Sequence, residues 1–323
     1  MAKTSRTRRA AQHRKIRTKT AASRHGQAAV SVRGIKLTHP DRVYWRDAGV
    51  TKRMLAEYYA EVWDLMRPHI AGRVLALVRC PEGAEGPCFF QKHASAGVDA
   101  TQLHLVREPK GEKSISIGNL KGLIALVQAG VLELHVRGSS IERLEEANRL
   151  VFDLDPGPGV AWPALVDAAR EVRDRLRERE LESFVKVTGG KGLHVVLPIR
   201  FAPWDRAKTF CHGIAAQMAA DSPGRYTATA RKSARRGRIF VDYLRNSREA
   251  TAIAPYSTRA RPGATVAVPL AWEELAAQHG ANRFTVNNLA QRLARIKSDP
   301  WREIGRLRQR LPDDDRGPGL ADC

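Results

Sequence analysis

The stretch LVFDLDPGPG, residues 150–159, narrows the choice of folds more than any other part of the chain. An apolar run cut short by a Pro/Gly cluster reads as a β-strand that ends in a turn. Residues i and i+2 of a strand share a face, so Asp153 and Asp155 project together while Phe152 and Leu154 pack on the other side. Two carboxylates about 7 Å apart on one face repel each other unless a cation lies between them. A hard divalent ion, Mg²⁺ or Mn²⁺, is the natural neutraliser because it prefers oxygen ligands. Spacing alone also permits a solvent-facing pair at a strand end, next to the turn.

A third carboxylate favours the metal. Asp242 lies in another apolar strand, GRIFVDYLRN, between Val241 and Tyr243. Three strand carboxylates match the arrangement in which paired ions hold the attacking and leaving oxygens of phosphoryl transfer. The VTGGKGLHV stretch offers the complementary half. Gly189, Gly190 and Gly192 permit close backbone approach with N–H groups facing an anion, and Thr188, Lys191 and His194 add donors. The same stretch is also a hairpin turn. It is no Walker loop, because no Ser or Thr follows Lys191. Arg231, Lys232, Arg235, Arg236 and Arg238 precede Asp242, Arg245 and Arg248 follow it, and Arg259 and Arg261 stand one residue apart. Such a cluster points to polyphosphate. A phosphatase or sugar transferase built on DxD leaves it unexplained.

Charge points to the kind of partner. The chain has 55 Lys+Arg against 34 Asp+Glu, a net charge of +21, which favours a polyanion. Eleven of those basic residues fall in the first 36 positions, where there is no acid, and their removal leaves the rest at +10. Residues 1–34 read as a disordered basic arm, residues 35–311 as the folded domain and residues 312–323 as a tail. No apolar run approaches the roughly 18 residues of a membrane span. Cys80, Cys88, Cys211 and Cys323 form no CxxC pair, and reduced thiols in a cytoplasm are the expectation.

Helices are expected over 52–67 after a Thr51 cap, over the NLKGLIALVQAG segment, over 162–180 and over 204–220, with residues 270–310 mostly helical. The strands between them do not alternate regularly with helices. The fold class is therefore α+β rather than a doubly wound sheet.

VFDLDPG, TGGKGLH, GRIFVDYLRN and APYSTRARPGA, in this order and spacing, resemble the polymerase domain of bacterial ligase D, a member of the archaeo-eukaryotic primase superfamily. LTHPDRVYW, CFFQKH, LELHVRGS and DPWREIGRLRQRL are similar to the same family, so the resemblance runs from about residue 35 to 311. It implies a primase-like polymerase fold, with mixed and antiparallel sheets flanked by helices and an RRM-like catalytic part. Asp153, Asp155 and Asp242 would be catalytic and hold two divalent ions, Mn²⁺ or Mg²⁺. His135, Thr188, Lys191, His194, Arg235, Arg245, Arg259 and Arg261 would bind the incoming nucleotide. Phe89 and Phe90 would stack on template DNA, and Arg42 and Lys52 would grip the 5′-phosphate across a gap.

The chain departs from the family pattern at two places. Thr188 stands where Ser is usual, which keeps the hydroxyl, and the motif commonly reading His-Pro-Trp-Gly is His-Val-Arg-Gly, with Arg137 for Trp. The activity implied is nucleotide addition to 3′-hydroxyl ends at gaps or breaks in DNA, with ribonucleotides preferred. It would serve non-homologous end joining alongside Ku and a DNA ligase, in the bacterial cytoplasm at the nucleoid and without a membrane partner. A non-catalytic DNA-end-binding module of the same fold is the alternative.

Overall fold

Thr51 caps the first long helix as its sequence position demands, its hydroxyl accepting from the Met54 N–H at 3.3 Å. The computed structural model describes residues 30–94, 98–109 and 111–313. Two short antiparallel hairpins open it, β1 (Ser31–Val32) with β2 (Ile35–Lys36) and β3 (Val43–Trp45) with β4 (Val50–Thr51). Helix α1 (Lys52–Ile70) then buries Leu55, Tyr58, Tyr59, Val62 and Met66. After it come β5 (Leu75–Arg79), β6 (Phe89–Gln91), β7 (His104–Arg107), β8 (Lys113–Ser116), α2 (Leu120–Gln128) and β9 (Val131–Arg137). The chain continues through β10 (Glu146–Pro156), α3 (Trp162–Arg177), β11 (Phe184–Val187), β12 (Leu193–Pro203) and α4 (Trp204–Asp221). It closes with β13 (Tyr226–Thr227), β14 (Ile239–Asp242), β15 (Thr251–Ile253), β16 (Val268–Leu270) and α5 (Leu289–Leu293).

Two sheets organise these elements. The first runs β13-β14-β10-β12-β11-β16, antiparallel except for the β13–β14 pair. Its inner strands follow the order β14-β10-β12-β11 with α3 and α4 as connections, which is the split βαβ arrangement of an RRM-like unit. The second sheet runs β15-β9-β5-β8-β7, with β6 beside β5. The expected α+β class with antiparallel sheets and flanking helices is what forms.

Alternation along β10 decides its two faces. Leu150, Phe152 and Leu154 are fully buried in the main core beside Leu165, Ala169 and Val172 of α3. Val151 belongs to the other face, in a small cluster with Val196, Ala252, Trp301 and Ile304. Asp153 and Asp155 continue that second face beyond the cluster.

Two expectations are overturned. Residues 270–310 are not mostly helical: the described structure there is the five-residue α5 and a single 3₁₀ turn at Leu275–Ala277, joined by turns. Tertiary anchors replace helix bonds, with the Trp301 indole N–H donating to the Val185 carbonyl at 3.1 Å and the Gln309 amide donating to Pro198 and Glu182 carbonyls. Nor are all the cysteines reduced. The β5–β6 pairing brings Cys80 and Cys88 to a Cα separation of 4.3 Å, and they form a disulfide. Cys211 is buried on α4. Cys323, residues 1–29 of the basic arm and residues 314–323 of the tail lie outside the described residues.

The turn after β10 has room for no side chain at Gly157. A Cβ there would stand 1.7 Å from the Arg235 carbonyl oxygen and 2.8 Å from that of Arg238. Gly157→Ala should therefore push the 231–238 segment away from Asp155 and destabilise the protein by about 3 kcal/mol. Urea denaturation reads this directly; a loss under about 0.5 kcal/mol would contradict the close approach.

Candidate active site

Strand pairing, not sequence proximity, assembles the carboxylates. β10 lies between β12 and β14, and Asp153 is the register partner of His194 on one side and Asp242 on the other. Asp155 follows on the same face. One carboxylate oxygen from each of Asp153, Asp155 and Asp242 lies within 4.8 Å of the others, a spacing that a shared divalent cation suits.

The charges around them are uneven. Arg245 points its Nε at Asp153 Oδ2 (3.1 Å) and Asp242 Oδ2 (3.3 Å), so a guanidinium bridges two of the three acids. Burial alone would raise the Asp153 carboxyl, but His194 and Arg245 beside it hold it well below the usual carboxylate range. Burial, reinforced by the negative charges of Asp153 and Asp242, pushes Asp155 up to about 6. Asp242 is raised as well, by burial and by the charge of Asp153. With Asp155 and Asp242 both raised, the ionised site is one that cationic ligands relieve.

His194 is buried, with Nε2 3.3 Å from Asp153 Oδ1. Burial, with Lys186 close by, brings its pKa down to about 4, so at neutral pH the uncharged ring donates Nε2–H to the carboxylate. Its Nδ1 is buried without a hydrogen-bond partner among the described residues.

The Gly-rich turn joins β11 to β12 and places Thr188, Gly190, Lys191 and Gly192 along a cleft of about 300 Å³ with His135, Asp153, Asp155, His194, Arg245, Arg259 and Arg261. Two of the turn's backbone amides already have partners. Gly189, at φ +67°, donates its N–H to Ala281, Gly190 donates to the Thr188 hydroxyl, and that hydroxyl donates to Gly192 O at 2.9 Å. Those two amides are already engaged, so the charge that an anion meets comes from exposed Lys191 and from the arginines.

Arg259 reaches the cleft because its loop is pinned. Tyr58 donates to the Tyr256 carbonyl at 2.8 Å, Tyr59 bonds the Thr258 hydroxyl at 3.1 Å, and Tyr256 holds φ at +63°. Arg259 then donates Nη1 to Thr188 O at 2.9 Å and pairs with Glu133 at 3.1 Å. Arg235, on the opposite flank, lies 3.7 Å from Asp155 and over the Phe240 ring at 4.0 Å.

Glu133 is a residue the sequence reading missed. It holds His135 Nε2 at 2.8 Å, Arg259 Nε at 3.1 Å and the Ala260 N–H at 2.9 Å, tying the second sheet to the arginine loop. Burial would raise its carboxyl; the His135 hydrogen bond and Arg259 bring it down to about 2 instead. Lys186 was missed too. It is fully buried, pairs in register with His194, donates Nζ to Ile253 O at 2.8 Å, and burial drives its pKa well below the ordinary value. Both were detectable by the signal that exposed Asp153: a charged residue inside an apolar strand, here VLELHV and FVKV.

The remaining expected residues do not line this cleft. Phe89 and Phe90 are about half exposed, with Arg79 over Phe89 and Phe90 edge-on to His135 at 5.9 Å. Arg42 is exposed and donates to Pro81 O, whereas Lys52 is 4% exposed, its Nζ donating to Thr38 O at 2.8 Å. Arg137, the departure from the family motif, is not part of the cleft lining and pairs with buried Glu108 at 2.7 Å.

Comparisons with known proteins agree with this geometry. A family model for the LigD primase-polymerase domain matches residues 51–301. The chain is similar to the multifunctional non-homologous end joining protein LigD of Pseudomonas aeruginosa, 37% identical over 292 residues, which cover 88% of this chain and 34% of that protein. It is 36% identical to the corresponding protein of Mycolicibacterium smegmatis over 259 residues, 79% of this chain and 34% of that one. The chain thus spans about a third of the length of these relatives. Among solved structures, the polymerase domain of Mycobacterium tuberculosis ligase D in complex with DNA superposes with a TM-score of 0.76 at 33% identity, over 84% of this chain and 98% of that one.

Proposed function

The chain belongs to the LigD primase-polymerase family, and on that premise we propose that it is a DNA-dependent nucleotidyltransferase acting on 3′-hydroxyl ends at gaps and breaks. We place this domain at residues 35–311. The convergence of Asp153, Asp155 and Asp242 at the edge of an arginine-lined cleft carries the reading. In a module that only bound DNA ends, three converging acids would oppose the phosphates and serve no purpose.

The donor set fits divalent cations, since all three donors are carboxylates whose mutual repulsion a cation relieves, and the proposed mechanism seats two of them there. Bound there, Mn²⁺ or Mg²⁺ supplies the positive charge that favours a 3′-alkoxide and an outgoing pyrophosphate. The chain's own residues do the rest. Lys191, Arg259 and Arg261 gather the triphosphate, Arg245 and Arg235 screen the acids, and Glu133 orients His135 and Arg259 towards the nucleotide. Phe89 and Phe90 offer exposed ring faces for template bases. The DNA-bound relative supports DNA as the partner; nucleoside triphosphates, Ku and a ligase complete the proposed set.

The test is extension of a labelled primer on a gapped duplex with a recessed 5′-phosphate, comparing Mn²⁺ with Mg²⁺ and ribo- with deoxynucleotides. Template-directed addition, faster with ribonucleotides, is expected. DNA binding without addition under any of these conditions would leave the end-binding module.

Lys52 gives the same assay a pH signature. Burial, helped by the charge of Arg42, lowers its pKa to about 8. At pH 7 the ammonium is charged and can grip a 5′-phosphate; as pH rises through 8 the charge is lost. The advantage of a phosphorylated over an unphosphorylated downstream strand should shrink as the charged fraction falls to about a tenth by pH 9. A constant ratio from pH 7 to 9 would remove Lys52 from the phosphate site.

A further inference from the structure

A cleft of about 730 Å³, larger than the one at the carboxylates, lies at the far end of β10 and β12 from them. The register explains its shape. Ala147 pairs with Ala202 and Arg149 with Pro198, so Ile199, Arg200 and Phe201 all stand opposite Asn148 alone. This bulge turns Arg200 and Phe201 out to the surface, Phe201 at 37% exposure. The segment around Gln309 forms the facing wall, pinned by the Arg200 N–H on Gln309 O and by the Gln309 amide on Pro198 O, both at 2.7 Å.

Among the described residues, five arginines line this cleft against one acid, Asp313. Arg143 pairs with Glu146 and Arg206 with Asp313. Arg308 donates only to carbonyls, and Arg200 and Arg310 have no acidic partner among the described residues. The Arg143 guanidinium lies 4.4 Å from the Phe201 ring centre, which leaves the opposite ring face for a planar group. Asn148, also in the lining, has a buried Oδ1 with no hydrogen-bond partner among the described residues.

Uncompensated guanidinium groups suit phosphates, an exposed ring suits a base, and an orphaned acceptor suits a base N–H. A simple anion would use only the first. We infer that this cleft is a second nucleic-acid site, which holds a few nucleotides of single strand through Arg200, Arg310 and Phe201. Seven residues of β12 separate His194 from Phe201, about 23 Å at strand rise. A single strand that stays stacked at the duplex rise of about 3.4 Å covers that distance in about seven nucleotides, and a more extended one in fewer.

The test needs no catalysis. Full-length protein in EDTA without nucleotides is titrated with fluorescein-labelled dT₂₀ at several salt concentrations, with melting temperature as the folding control. The Arg200→Glu/Arg310→Glu variant should bind about tenfold more weakly, with a log–log salt slope shallower by about 1.4, because two phosphates no longer meet a guanidinium. Phe201→Ala should weaken binding several-fold at unchanged slope, because stacking releases no counterions. Wild-type affinity and slope in both variants would overturn the inference. So would a ten-residue glutamate peptide whose binding needs Arg200 and Arg310 while dT₂₀ ignores them, since the cleft would then serve an acidic peptide segment. Primer extension on a short gapped duplex, run in parallel, keeps the two questions apart: failure there counts against the polymerase reading and leaves this binding result standing.

Discussion

Asp242→Ala is expected to lower the proposed nucleotide addition by at least about 10³-fold, equivalent to about 4 kcal/mol of barrier, while DNA binding should stay level or tighten. The loss follows from the register that sets Asp242 directly beside Asp153, with a carboxylate oxygen within 4.8 Å of the other two acids. Removing it takes away one of three oxygen donors and leaves Arg245 free to close on Asp153. Binding does not suffer, because an acid leaves a basic surface. Asp153→Ala should abolish addition equally but is a less clean probe. It strands the buried His194 ring and removes one of the two carboxylates that Arg245 bridges, so it should also cost stability. Primer extension and a filter-binding titration on the same preparations check both statements. Addition by Asp242→Ala within tenfold of wild type would remove this residue from the chemistry.

Divalent ions and Asp155→Asn should stabilise the protein by overlapping routes. Asp155 is raised to about 6 from an ordinary carboxylate near 3.8, so the folded state binds its proton more tightly than the unfolded chain does. Stability from this group is present at low pH and lost as pH rises from about 4 to about 6. Above that window the ionised carboxylate is a burden, and neutral Asn relieves it. The side chain is 42% exposed, so solvent screening reduces the gain to about 1 kcal/mol, a rise of about 2 °C for a chain this size. Mn²⁺ at a hundredfold excess over its dissociation constant should raise wild-type stability by about 2.7 kcal/mol, or roughly 5 °C. In Asp155→Asn that response should largely vanish, and in the wild type it should weaken below about pH 6 as protons compete. Differential scanning fluorimetry at pH 5 and pH 7.5 separates these cases; equal Mn²⁺ shifts in both proteins would contradict them.

How far the sequence reaches follows from which interactions are local. The two-residue period of β10 put Asp153 and Asp155 on one face, and nothing non-local was needed to see it. That Asp242 joins Asp153 and Asp155 was suggested by a third carboxylate in an apolar strand and by the family resemblance, but its register beside Asp153 was not legible, because 89 positions separate them and register is a property of the folded sheet. The pairing of Cys80 with Cys88 escaped a search for CxxC spacing, since the β5–β6 strands rather than a short loop bring them together. Residues 270–310 carry helix-favouring runs such as WEELAAQ, yet Trp301 and Gln309 are recruited by the first sheet, and tertiary anchoring overrides local preference. Glu133 and Lys186 reveal their roles only once the second sheet is set against the first. The glycines of the 189–192 turn were expected to offer N–H groups to phosphate, but the Gly189 N–H donates to the Ala281 carbonyl and the Gly190 N–H to the Thr188 hydroxyl.

Whether Asp153, Asp155 and Asp242 are the seat of catalytic divalent ions can be read from one experiment. Crystals grown with Mn²⁺, a gapped duplex and a non-hydrolysable ribonucleoside triphosphate, measured at the manganese absorption edge, test it most directly. Anomalous peaks are expected within coordination distance of these three carboxylates and of the triphosphate. Ordered nucleotide with no manganese at the three acids would contradict that assignment.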